Sequence, residues 1–125
     1  MTGKGRGRGF GGGRGAGRGA GRMMGPMMDP RSKLLFAMGN DQRIKILEEL
    51  KEGEKSSAEL VAALMLDPSV VSRHLSLMRS VGIVKARKEG VAMFFSIDDK
   101  RVLKILELAT EISRDWLSSF NEFLK

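Results

Sequence analysis

The chain contains no cysteine among its 125 residues, and this absence excludes several kinds of site. Disulfide bonds, thiolate metal sites and cysteine-based redox sensing all need a residue that the chain lacks. It also has a single histidine, His74, which is far short of the ligand set that a tetrahedral zinc site requires. We therefore expect neither a bound metal nor a cofactor.

Long apolar segments are also missing. No apolar run approaches the roughly 20 residues that a membrane-spanning helix needs. The N-terminus has no hydrophobic region of the kind found in signal peptides. We expect a cytoplasmic protein without a membrane partner.

Glycine and positive charge are concentrated near the N-terminus. Residues 3–25 hold twelve of the sixteen glycines, and residues 1–33 hold eight Lys or Arg against one acidic residue. Residues 34–125 have fourteen charges of each sign, so the net charge of +7 belongs to the N-terminal part. Such a segment cannot bury enough apolar surface to offset its chain entropy. We predict a disordered Arg/Gly-rich tail with a Met-rich transition over residues 1–28, followed by one domain over residues 29–125.

The first half of this domain is predicted to be helical. Apolar periodicity indicates a short helix at about Pro30–Met38 and a second at about Asp41–Glu52. A third helix opens with a capping-box pattern, in which Ser56 is followed three residues later by Glu59. After a short turn, Asp67 and Pro68 form the start of a fourth helix that continues to about Val81.

The second half begins with two β-rich runs, Ile83–Lys88 and Val91–Ile97, joined at Glu89-Gly90. A last helix of roughly Lys100–Phe123 follows. The order of these elements is that of a winged helix-turn-helix: a mainly α-helical fold with a β-hairpin wing, which we expect to be dimeric.

The fourth helix has the composition of a helix that enters the major groove of DNA. Val71, Leu75 and Met78 recur at helical spacing and form its buried face. The other face carries short hydroxyl side chains and one arginine, which suit phosphates and base edges. The predicted DNA contacts on this helix are Ser69, Ser72, Arg73 and Ser76. An ordinary amphipathic surface helix is the alternative.

A catalytic interpretation of the same helix is excluded by spacing. Ser72 and His74 are two positions apart and face different sides of a helix, so they cannot meet. Asp67 is already accounted for as a helix cap. We expect no enzyme.

The hairpin adds a cluster of cations before its turn. Lys85, Arg87 and Lys88 would grip the DNA backbone beside the recognition helix if the hairpin acts as a wing. The alternative is a solvated strand edge.

Apolar residues on the last helix form a broader stripe than one small domain needs to cover. We predict a twofold dimer interface that also includes the first helix. Its predicted residues are Leu34, Leu35, Met38, Ile105, Ala109, Ile112, Trp116 and Phe120.

Three segments resemble the ArsR/SmtB repressors. Residues Met38–Leu47 are similar to the opening segment of these repressors, Ser69–Val84 to their recognition helix and Val84–Ile97 to their wing. The resemblance covers about residues 30–110 and implies a homodimeric repressor that binds a double-stranded DNA operator and dissociates when a signal arrives. It also implies DNA contacts at Ser56, Ser57 and Val70.

The chain departs from the metal-sensing members of this family. They carry cysteines where this chain has Glu54–Leu60, and the zinc sensors have His ligands on the last helix, which has none here. The resemblance therefore implies DNA binding without metal sensing, released by an unidentified small-molecule or protein inducer. From a different class, the chain could be a general RNA- or DNA-binding protein that acts through its tail, with the winged domain as a dimer scaffold. The tail could also be a solubilising leader without defined contacts.

Overall fold

The computed structural model describes residues 29–124, and the predicted tail of residues 1–28 lies outside this range. Its helices and strands follow the order expected from the sequence, with one added strand. In chain order they are α1 (Pro30–Met38), α2 (Asp41–Lys51), β1 (Lys55–Ser56), α3 (Ser57–Leu64), α4 (Pro68–Ser80), β2 (Val84–Glu89), β3 (Ala92–Ile97) and α5 (Arg101–Leu124). The predicted winged helix-turn-helix fold is confirmed.

The helices begin where local capping groups satisfy the first free backbone N–H groups. Asp29 accepts a hydrogen bond from the N–H of Arg31, and Asn40 accepts two, from Gln42 and Arg43. The predicted capping box is present: Glu59 N–H donates to Ser56 Oγ at 3.0 Å, and Ser56 N–H donates to Glu59 Oε1 at 2.7 Å.

The turn between α3 and α4 sets the angle of the helix-turn-helix unit. Met65 ends α3 in the left-handed conformation, with φ of 55°, and its side chain is 89% exposed. Asp67 then caps α4, with Pro68 in the first turn as predicted.

The sheet has three antiparallel strands in the order β1-β3-β2. The sequence predicted only the β2–β3 hairpin; the two-residue β1, which pairs with Phe94 and Phe95 of β3, was missed. The predicted turn was also placed one residue too early. Glu89 pairs with Ala92, so the turn residues are Gly90 and Val91, and Gly90 has the positive φ of 63° that this tight turn needs.

The core lies between α2, α3, α4 and the sheet. The predicted buried stripe of Val71, Leu75 and Met78 is confirmed, and Leu77 is buried beside it. The largest fully buried side chains are Ile46, Leu47, Leu60, Val71, Leu75, Met78 and Ile83.

Helix α5 contacts this core only through its first turns. Val102 is buried, whereas the side chains from Glu107 to Glu122 are all exposed. Within the described residues, no single helix is long and apolar enough to cross a membrane; α3 and α4 meet the length and composition test only as a pair, bent by 119°.

Candidate nucleic-acid interface

One face of α4 presents polar side chains that the rest of the described chain leaves free. Ser72, Arg73 and Ser76 are exposed, above the buried Val71 and Leu75. Among residues 29–124, none of these three side chains has a hydrogen bond or an ion pair to another side chain or to the backbone. Their donors are therefore available to a ligand.

The other two predicted DNA contacts on α4, Ser69 and Val70, are less available to a ligand. Ser69 Oγ donates to Asp67 Oδ1 at 2.7 Å, and the same oxygen accepts from the N–H of Ser69 at 2.9 Å. These hydrogen bonds lower the pKa of Asp67, with the side-chain bond as the larger cause. Val70 is half-buried.

Ser57 lies beside the α4 face, whereas Ser56 serves as a cap. A cavity of about 510 Å³ between α3, α4 and β3 is lined by Ser57, Ser72 and Ser76, with Leu75 and Phe95 among its apolar residues. The structure thus brings three predicted contacts together around one open cavity, which is part of the same surface.

Arg79 also lines this cavity and was not predicted from the sequence. It follows Ser72 and Ser76 at seven and three positions, so the three residues share one face of α4. That spacing was a readable signal. Arg79 has no ion pair among the described residues and adds a cation at the C-terminal end of the recognition helix.

The three wing cations do not share a face. Side chains alternate along a strand, and residues directly opposite on antiparallel strands point to the same side. Lys88 pairs with Met93, which lines the cavity beside α4, so Lys88 lies on the recognition-helix side. Lys85 and Arg87 lie on the opposite face, where Arg87 pairs with Phe94.

Arg87 binds two carboxylates and contacts an aromatic ring, although about half of its side chain is exposed. Its Nε and Nη2 each donate to a carboxylate oxygen of Glu54 at 2.8 Å, and its Nη1 donates to Glu89 Oε1 at 3.0 Å. The guanidinium carbon lies 4.8 Å from the centre of the Phe94 ring. The hydrogen bonds to Glu54 and Glu89 raise the pKa of Arg87, and the bond to Arg87 lowers the pKa of Glu54.

His74 connects α4 to α2. Arg43 Nη1 lies 3.1 Å from His74 Nδ1, and Gln42 Oε1 lies 2.8 Å from His74 Nε2. Because arginine only donates, Nδ1 accepts, and the imidazole is neutral with its proton on Nε2. Burial, then the charges of Arg43 and Arg73, lower the pKa of His74.

Arg43 is the buried centre of this connection and was not identified from the sequence. It is 8% exposed, and its Nε and Nη2 donate to the backbone oxygens of Ala37 and Phe36 at the end of α1. One side chain therefore links the end of α1, the start of α2 and the recognition helix.

The predicted dimer residues fall into two groups. Leu35, Ala109, Ile112, Trp116 and Phe120 are exposed, and the rings of Trp116 and Phe120 stack with centroids 6.1 Å apart. Leu34 and Ile105 are half-buried against the core.

Met38 requires a correction. Its side chain is 6% exposed and belongs to the core of the chain itself, so it has almost no surface to offer a second copy. The periodicity of α1 could not distinguish a side chain turned inward from one turned outward.

Within the described residues, no group of three or more His, Asp and Glu side chains is arranged to hold a metal ion. The nearest neighbours of His74 are a cation and an amide rather than further ligands.

Comparisons with known proteins agree on one family. A sequence profile described as "Bacterial regulatory protein, arsR family" matches residues 40–86. The transcriptional activator HlyU of Vibrio cholerae is 39% identical over 75 residues, which cover 60% of this chain and 69% of that protein. An uncharacterised HTH-type transcriptional regulator of Methanocaldococcus jannaschii is 35% identical over 82 residues, covering 65% and 92%.

Solved structures give the same result. Rv0081 of Mycobacterium tuberculosis superposes with a TM-score of 0.68 at 30% identity, covering 76% of this chain and 96% of that one. The transcriptional repressor PagR of Bacillus anthracis superposes with a TM-score of 0.58 at 31% identity, covering 64% and 92%.

Proposed function

The chain belongs to the ArsR family of DNA-binding transcriptional regulators, and on that premise we propose that it is a homodimeric repressor that reads its operator through α4. Membership confirms the resemblance found in three segments of the sequence. It favours gene regulation over a general nucleic-acid-binding role for the tail. Relatives include both an activator and a repressor, so repression is part of the proposal.

The observation that carries the proposal is the unpartnered polar face of α4. Ser72, Arg73 and Ser76 stand over a rigid buried stripe, and their donors have no acceptors among the described residues. Short hydroxyl side chains allow close approach to the groove, and arginine can bind guanine with two hydrogen bonds.

Around this face we propose a backbone-binding rim. Ser57 lies at the start of α3, Arg79 at the end of α4 and Lys88 on the α4 side of the wing. We do not include Ser56, Ser69 and Val70 among the residues that contact DNA, because the two hydroxyls bind capping partners and Val70 has an apolar, half-buried side chain.

Dimerisation is supported by the exposed apolar face of α5. Ile112 and Trp116 are 69% and 65% exposed, and exposed Leu35 on α1 adds to the apolar surface. A contiguous apolar surface of this kind on a small domain usually marks an interface. A twofold dimer would present two copies of α4 to successive major grooves.

The proposal also includes the kind of signal that releases the regulator from DNA. The chain has no cysteine, and its one histidine is bonded within the domain. We propose release by a small molecule or a protein rather than by metal binding to thiolate or histidine ligands, and action in the cytoplasm, where the DNA lies.

The test is selection of bound duplexes from a random DNA pool, followed by binding of the selected operator to variants. Arg73→Ala should weaken operator binding by about 1–3 kcal/mol and relax the sequence preference at one position in each half-site. Arg114→Ala, on α5, is the matched control and should leave both unchanged. Equal losses on operator and on mixed-sequence DNA would contradict base reading by Arg73.

A further inference from the structure

Arg87 spans the three-stranded sheet of the wing. It projects from β2, crosses the ring of Phe94 on the central strand β3, and binds both carboxylate oxygens of Glu54, which directly precedes β1. Two parallel N–H···O bonds at 2.8 Å fix both the distance and the orientation of the two groups. The side chain therefore holds the outer strands at a set position across the middle one.

The same contacts cancel the charge of Arg87. Two carboxylates, from Glu54 and Glu89, contact the guanidinium, and the charge of Lys85 also acts on Glu54, so this face of the wing carries two cations against two anions. A face without net charge attracts a phosphate only weakly, and Arg87 offers it fewer donors because three of its N–H groups are already bound to carboxylates.

Lys88, the next residue along β2, is in the opposite situation. It points to the face that carries Met93 and borders α4, and among the described residues it has no ion pair. The position of its ammonium relative to α4 depends on the placement of β2, which the Arg87 contacts hold.

We propose that Arg87 is a positioning residue, which binds Glu54 across the sheet so that Lys88 meets the DNA backbone, and makes no phosphate contact itself. This role rests on the DNA interface proposed above. Arg87, one of the three wing cations predicted to contact DNA, then positions the wing instead. Lys88 is left as the residue of the wing that binds phosphate beside the recognition helix.

The experiment measures binding of the full chain to a mixed-sequence DNA duplex over a range of salt concentrations. Lys88→Gln removes one phosphate contact from each chain of the proposed dimer, two per complex, so the slope of log K against log salt should fall by about 1.8. Arg87→Lys keeps the charge but cannot form the two parallel bonds. It should weaken binding as much as Lys88→Gln does, about fivefold, which corresponds to about 1 kcal/mol. Combining the two substitutions should cost no more than either alone.

Under the two interpretations of Glu54, the substitution Glu54→Gln changes DNA affinity in opposite directions. If Glu54 holds the wing in place, the substitution weakens binding. If Glu54 merely withholds Arg87 from DNA, it tightens binding and steepens the salt dependence. Tighter DNA binding by Glu54→Gln would overturn the proposal. So would unchanged DNA affinity of Arg87→Lys, with the combined variant losing only what Lys88→Gln loses by simple addition. Lys85→Gln, on the same face as Arg87, controls for loss of a cation there.

A measurement without DNA distinguishes a purely structural role of the Arg87–Glu54 contact from the proposed positioning role. Glu54→Gln and Arg87→Lys should both accelerate amide hydrogen exchange along β2 and β3, because the strands lose the same link. Faster exchange with unchanged DNA affinity would show an anchor without a positioning role, and unchanged exchange would exclude the anchor. Failure of the unmodified chain to bind DNA would instead contradict the proposed function, while the exchange measurement would still test the anchor.

Discussion

The surroundings of His74 make its protonation costly. Its Nδ1 accepts from Arg43, and the charges of Arg43 and Arg73 add to burial in lowering its pKa below the ordinary value. Protonation would replace an accepted hydrogen bond by the contact of two cations.

We therefore expect stability to depend on pH through this one side chain. The folded chain favours neutral His74, so its contribution is full above the ordinary histidine pKa of about 6.5 and is lost as pH falls through the lower folded value. Thermal denaturation between about pH 7.5 and about pH 5 should show this loss. His74→Leu should flatten the profile while lowering stability at neutral pH by about 1–3 kcal/mol, because Arg43 loses a buried acceptor. An identical pH profile in the variant would contradict this account.

Residues with local signals were the ones that the sequence revealed. The exposure of Ser72, Arg73 and Ser76 could be predicted from spacing alone, because a buried stripe at one period leaves the opposite face to solvent. Arg43 could not, because its partners are backbone oxygens of α1 and a histidine on α4, which no pattern within α2 records. Arg87 was read as a free cation because Glu54 is remote in sequence and adjacent only in the sheet.

Helix boundaries were predictable for the same reason. Caps such as Asn40, Ser56 and Asp67 act on N–H groups two or three residues away, within the range that a sequence motif covers. Strand β1 was missed because its two residues form a strand only by pairing with β3, far along the chain. A strand of two residues is too short for its own sequence to show that it pairs with a distant strand.

The turn between α3 and α4 contains a residue with a strained backbone. Relief of this strain by substitution should stabilise the domain. Met65 is exposed and left-handed, a conformation in which its Cβ crowds the backbone at a cost of about 1–2 kcal/mol. Met65→Gly relieves this strain, at an entropic cost in the unfolded state of about 0.5–1 kcal/mol. We expect a net gain of up to about 1.5 kcal/mol in the free energy of unfolding, measured by urea denaturation. Met65→Ala keeps the Cβ and serves as control; an equal gain there would exclude relief of strain.

At the scale of the whole molecule, the exposed face of α5 predicts that the chain is not monomeric. Ile112→Glu places a charge in the proposed interface and should convert a dimer to monomers in sedimentation equilibrium. Trp116, the only tryptophan, lies one turn away and should report the change as a red shift of its fluorescence. Ser118→Glu, exposed and on the opposite side of α5 from Trp116, should leave the dimer intact. Monomeric unmodified protein at micromolar concentration would contradict the proposed dimer.

The length of α5 beyond the core also bears on how the gene responds to the amount of regulator. Because the described residues of one chain leave the apolar side of this helix uncovered, the proposed operator-binding species forms only when two chains meet. When unpaired chains predominate, the concentration of pairs rises as the square of the chain concentration. A modest rise in copy number would then produce a disproportionate fall in transcription, and any partner that occupies this side of α5 would relieve repression without touching DNA.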